Sequence, residues 1–70
     1  MLQDTNEFIV FSHYQKDSKK ATVVKQREKG YWGVHMSVDD KKGLLEWYPT
    51  HSETWAENVA ENFVEGIRQI

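Results

Sequence analysis

Only one stretch of this chain carries a helical period, and it comes last. Trp55, Ala56, Val59, Ala60, Phe63, Val64, Ile67 and Ile70 recur at helical spacing. At about 100° per residue they fill one half of a helix surface. Glu57, Asn58, Glu61, Asn62, Glu65, Arg68 and Gln69 fill the other half. The pattern predicts an amphipathic helix running to the C-terminus. Pro49 closes what precedes it, and Thr50 with Glu53 has the spacing of a capping box, Ser52 being the alternative N-cap. A lone helix covers one face of a sheet and no more. Whatever comes before it must be a sheet with one protected face and one open face.

Four short segments fit that demand. Residues 7–14 hold the run Phe8-Ile9-Val10-Phe11 and end at Tyr14, too short for a helix and rich in β-branched and aromatic residues. Residues 21–26 include Thr22, Val23 and Val24. Residues 31–38 alternate cleanly, with Trp32, Val34, Met36 and Val38 on one side and Tyr31, Gly33, His35 and Ser37 on the other. Residues 44–48 form the fourth segment, Leu44 to Tyr48. The turns between them are polar: 15–20, Arg27 to Gly30, and Asp39-Asp40-Lys41-Lys42-Gly43. Short connections favour antiparallel neighbours. The expected architecture is α+β: a four-stranded antiparallel β-meander followed by one C-terminal helix on one sheet face, β-β-β-β-α, as a single domain over residues 1–70.

The alternation also assigns faces. Trp32, Val34, Met36 and Val38 should meet Trp55, Val59, Phe63 and Ile67, joined by Leu45 and Trp47 from the fourth strand. The open face should then carry Tyr31 and His35, with Tyr48, Tyr14 and Phe8. Leu, Ile, Val and Phe number 16 of 70 residues, just above the level that suggests disorder. There is no cysteine, so the fold must rest on its core, a partner or an oligomer. The longest apolar run is four residues, too short to span a membrane, and the N-terminal residues do not read as a signal peptide. The expected location is the cytoplasm.

No constellation points to catalysis or to a metal. Ser12, Ser18, Ser37 and Ser52 lie in none of the contexts that activate a serine, and the glycines fit no phosphate-binding loop. Asp39 and Asp40 read as turn formers. His13, His35 and His51 lack the local spacing of zinc ligands, although His13 and His35 could share a sheet face. The expectation is no enzyme, no cofactor and no metal.

Charge is the more informative signal. The net of −2 hides a local +4 over residues 16–30 and a local −3 over residues 51–70. Glu53, Glu57, Glu61 and Glu65 stand four residues apart, a like-charge row that weakens a helix unless a partner uses it. The leading expectation is therefore a small protein-interaction module, an adaptor or inhibitor. Its partner-binding residues would be Glu57, Glu61 and Glu65 on the helix and Tyr31, His35 and Tyr48 on the open sheet, and one version has the acidic row imitate nucleic-acid phosphates. The alternative is nucleic-acid binding through Lys16, Lys19, Lys20, Lys25, Arg27 and Lys29 with the sheet tyrosines. The overall acidity and the lack of an RNP pattern weigh against it. Apolar residues on both sides of the first and fourth strands exceed what one helix covers, so a protein partner or a homodimer through an edge strand is also expected.

Overall fold

A computed structural model describes residues 3–39, 41 and 43–67. Four strands, β1 (Phe8–Lys16), β2 (Lys19–Gln26), β3 (Trp32–Val38) and β4 (Leu44–Tyr48), precede one helix, α1 (Glu53–Val64). The strands form one antiparallel sheet in the order β1-β2-β3-β4. The α+β meander expected from the sequence is the fold of the chain. The β1–β2 turn is tighter than the polar run 15–20 suggests. Asp17 takes the left-handed backbone (φ 55°) that a tight hairpin requires, so both strands extend to Lys16 and Lys19. Asp39 is left-handed as well (φ 56°), as the turn-former reading requires; Asp40 and Lys42 lie outside the described residues.

The core lies between α1 and the sheet. Ala21 and Val23 of β2, Val34 and Met36 of β3, and Ala56, Val59, Ala60, Phe63 and Val64 of α1 are buried together, with Tyr14, Trp32, Val38 and Tyr48 packed at the margin. The face of β3 is thus the one the alternation predicts. Fully burying side chains of this size contributes roughly 1.5–3 kcal/mol each, against the entropy of ordering the chain. Two residues expected to reach this layer from the helix are not in it. Trp55 is 45% exposed at the margin of the helix, and Ile67 is 75% exposed beyond its end.

The helix is shorter than its apolar period. Ser52, not Thr50, is the N-cap: its backbone is extended and its hydroxyl accepts the Trp55 N–H at 3.4 Å. At the other end Glu65 is the C-cap and Gly66 turns left-handed (φ 85°). The Gly66 N–H donates to the Phe63 carbonyl and the Ile67 N–H to the Asn62 carbonyl, the two bonds of a Schellman motif. The period reads through Gly66 because Ile67 and Ile70 happen to keep phase. Arg68, Gln69 and Ile70 lie outside the described residues.

Two registers reassign side chains. Leu44 pairs with Met36 and Glu46 with Val34, so Leu44, Glu46 and Tyr48 share the helix side of the sheet while Leu45 and Trp47 turn to the open side. This reverses the expected faces of β4, including that of Tyr48. The sequence Leu-Leu-Glu-Trp-Tyr is apolar on both sides, so alternation alone could not decide it. In β1 the register shifts between Val10 and Ser12. The extra residue is Phe11, which packs edge-on against Trp32 (centroids 4.8 Å apart). Past this bulge the parity of β1 inverts, which carries Tyr14 into the helix layer while Phe8 stays on the open side.

The open side is therefore not bare. Phe8 and Val24 are buried there, and Trp47 lies beside Phe8 (6.3 Å) over Gly33. A Cβ at position 33 would stand 2.5 Å from Trp47 Cε3 and 2.7 Å from the Glu46 carbonyl oxygen. Gly33→Ala must displace an indole and a neighbouring backbone. It is expected to destabilise the fold by about 1–3 kcal/mol, the usual cost of overpacking, measured by chemical denaturation.

Candidate interaction surfaces

The helix row does not present four equal carboxylates. Glu65 Oε2 accepts a 2.9 Å charged hydrogen bond from Lys16 Nζ, with both side chains about half exposed. That bond and the Glu65 charge, with a smaller contribution from Asp17, raise the Lys16 pKa above its ordinary value. Glu57 is half-buried on the β1 flank of the helix. Beside it the Tyr14 phenol is pushed up, first by burial and then by the charges of Glu57, Glu61 and Glu53. Glu53 and Glu61 are exposed. Of the three glutamates singled out in the sequence, Glu61 is thus the one on the solvent face with no described ion pair.

The basic segment is equally divided. Lys16 and Lys19 flank the β1–β2 turn at the C-terminal end of α1. Lys19 Nζ lies 6.0 Å from the centre of the Phe63 ring and close to Gly66. No basic residue occupies the helix's own last turn, so these two lysines supply cations to its negative end. Lys25 stands over the Trp32 ring (5.3 Å) on the helix side. Arg27 Nε donates to the Thr5 carbonyl, and Lys29 stands over the Tyr31 ring (5.9 Å), both at the β2–β3 turn. The length of β2 separates the two turns by about 23 Å at ~3.3 Å per residue. Lys20 falls on the open side, opposite Ser37. The six cations do not form one patch.

The expected sheet residues also separate. Tyr31 precedes β3, where its carbonyl accepts the Gln26 N–H. Tyr48 is on the helix side and its hydroxyl donates to Glu46 Oε1 at 2.8 Å. His35 is on the open side in a row that crosses all four strands, His13–Thr22–His35–Leu45, and His13 Nδ1 lies 3.2 Å from Thr22 Oγ1. His13 and His35 do share a face, with Thr22 between them. No group of three metal-ligating side chains occurs among the described residues. No helix among them is long and apolar enough to cross a membrane.

One arrangement was missed in the sequence. His51 stacks on Trp55 (centroids 4.1 Å apart, 13° between planes), and Tyr48 meets His51 edge-on at 6.3 Å. The indole is thereby held at the rim of a shallow depression of about 470 Å³ lined by Trp55, Asn58, Val59, Glu61 and Asn62. The available signal was the position of Trp55, roughly a quarter turn from the centre of the apolar arc. No protein-family model, curated protein or solved structure matches the chain.

Burial lowers the His35 pKa below the ordinary histidine value. The unfolded chain then binds the proton first. The stability this represents is full above about pH 6.5 and drains as pH falls from there towards the folded value. His35→Gln removes the titration. Thermal unfolding of the wild type is expected to show a steeper loss of melting temperature from pH 7.5 to about 5.5 than that of His35→Gln. Equal slopes would show that His35 protonates without cost.

Proposed function

We propose that this chain is a small non-enzymatic protein-interaction module of the cytoplasm, an adaptor or inhibitor that docks a partner protein through the solvent face of α1. The observation that carries the reading is Trp55. The residue type most enriched at binding hot spots stands half exposed beside a depression, its ring orientation held by His51. Asn58 and Asn62 offer amide donors and acceptors there, and Glu61 offers a charge. A partner with a basic group beside an apolar socket fits this surface. Glu61 and Glu53 would steer the encounter, and burial of the indole would hold the complex. The paired Glu65 and the half-buried Glu57 contribute less, so the version in which the whole row imitates a phosphate ladder is the weaker one.

The second reading is nucleic-acid binding, and one observation favours it. None of the described strand residues on the open side is acidic, while Lys20, His13 and His35 lie there. Arg27 and Lys29 adjoin one end of it, beside Tyr31. A gel shift with single-stranded and duplex probes at low salt distinguishes the two readings, because contacts of this kind weaken steeply as salt rises.

For the leading reading, the immobilised chain is used to capture its partner from native extract, and the affinity is then titrated with purified components. Trp55→Ala is expected to weaken binding about 30-fold or more, the loss typical of a hot-spot anchor, and to leave the circular dichroism spectrum unchanged. Glu61→Gln is expected to weaken it about two- to fivefold, mainly through a slower, less salt-sensitive association. Equal retention by wild type and Trp55→Ala would exclude α1 as the docking surface.

A further inference from the structure

α1 does not run along the strands it covers. It leaves the end of β4 through residues 49–52, and its C-cap Glu65 is bonded to Lys16 at the end of β1. The pairing registers put Tyr48 and Lys16 at diagonally opposite corners of the sheet. The helix therefore crosses the sheet on a diagonal, packing mainly on β2 and β3, then β1. A four-stranded sheet is about 19 Å wide and a helix about 10 Å, so one helix covers about half the width of a face. The diagonal leaves a wedge on each side. The one beside β1 holds Phe11, Trp32 and Lys25, which pack on one another. The one beside β4 closes at Tyr48, which packs at the core margin, and opens towards Leu44, which is 43% exposed on the same side of that strand.

The wall of this second wedge is one flank of α1. Trp55 and Glu57 are about 200° apart on the helix. Glu57 lies on the β1 flank beside Tyr14, so Trp55 lies on the β4 flank, where it stacks on His51 and His51 meets Tyr48. Val59 and Asn62 line the depression with Trp55, and Asn58 and Glu61 stand at its outer rim. The wall is thus apolar at its base, amide above, and carboxylate at its crest. α1 carries Glu53, Glu57 and Glu61 and no cation. We propose that this wedge takes an amphipathic helix of the partner protein, laid beside α1 over β4, with apolar side chains on Leu44 and Trp55 and lysine or arginine towards the crest of α1. An extended segment placed there reaches either the sheet or the indole, whereas a helix of about 10–12 Å diameter reaches both. The acidic wall selects a basic helix over an acidic one. The proposal rests on the reading of α1 as the docking surface and adds to it the shape of the partner and a second contact, on β4.

Synthetic peptides of about 16 residues, long enough to hold a helix once docked, serve as probes. Two have the same leucine and lysine composition, with the leucines at helical spacing in one and at every second position in the other. A third replaces the lysines of the helical peptide by glutamate. Each is titrated into the full chain and followed by amide and indole NMR shifts. The helical leucine–lysine peptide is expected to bind at least about tenfold more tightly than the other two, with its largest shifts at Leu44, Asn62 and the Trp55 indole. Leu44→Ser, at an already exposed position, is expected to weaken that binding about five- to tenfold, as partial burial of a leucine implies. Trp55→Ala is expected to weaken it about 30-fold or more. A native circular dichroism spectrum for each variant excludes misfolding as the cause. Loss with Trp55→Ala but full retention with Leu44→Ser overturns the wedge and leaves α1 as the docking surface. Retention by both variants overturns the two readings together. No binding of the helical leucine–lysine peptide up to about 1 mM overturns the proposal, as does equal binding of either of the other peptides.

Discussion

Everything in this molecule depends on one contact, the seating of a twelve-residue helix on the middle of a four-stranded sheet. Phe63 is the largest fully buried side chain, with Met36, Val34 and Val23 of the two central strands buried in the same layer. Small residues at Ala21, Ala56 and Ala60 let helix and sheet approach closely around them. A chain of this length has no second core to fall back on, and a helix of this length is marginal outside a tertiary structure. The sheet holds the helix, and the helix in turn shields the apolar faces of β2 and β3.

The same contact resolves the conflict between the charged segments. A row of glutamates at four-residue intervals works against its own helix, and most strongly at the C-terminal end, where the dipole is also negative. The hairpin turn at Asp17-Ser18 delivers Lys16 and Lys19 to that end. An exposed pair such as Lys16–Glu65 contributes little by itself. Its role is geometric, because the two lysines sit where the helix lacks cations of its own. The basic middle and the acidic tail of the sequence are therefore partly each other's partners, and less of either charge is left for an outside ligand than the segment totals suggest.

How far the sequence could be read follows from the same physics. Periodicity located all four strands and the helix, and it named the correct buried face of β3, because Trp32 to Val38 alternates without ambiguity. It failed where alternation carries no information. β4 is apolar on both sides, so its alternation does not set its register. β1 contains a bulge at Phe11 that no residue type announces, and that bulge moves Tyr14 across the sheet. The helix end was missed because a glycine C-cap is a backbone event, and the apolar period continues past it. The surface residues were the least legible. Glu61 and Trp55 come together because Val59 and Phe63 face inward, while the register of β4 takes Tyr48 to the side of the sheet opposite His35.

Charge is consequently sorted by layer as well as by segment. The helix layer carries Glu53, Glu57, Glu61, Glu65 and, from β4, Glu46, while the described strand residues of the open side carry no carboxylate. The helix side also holds Lys16, Lys19 and Lys25, whereas the ionisable strand residues described on the open side are His13, Lys20 and His35, so the two faces differ in charge.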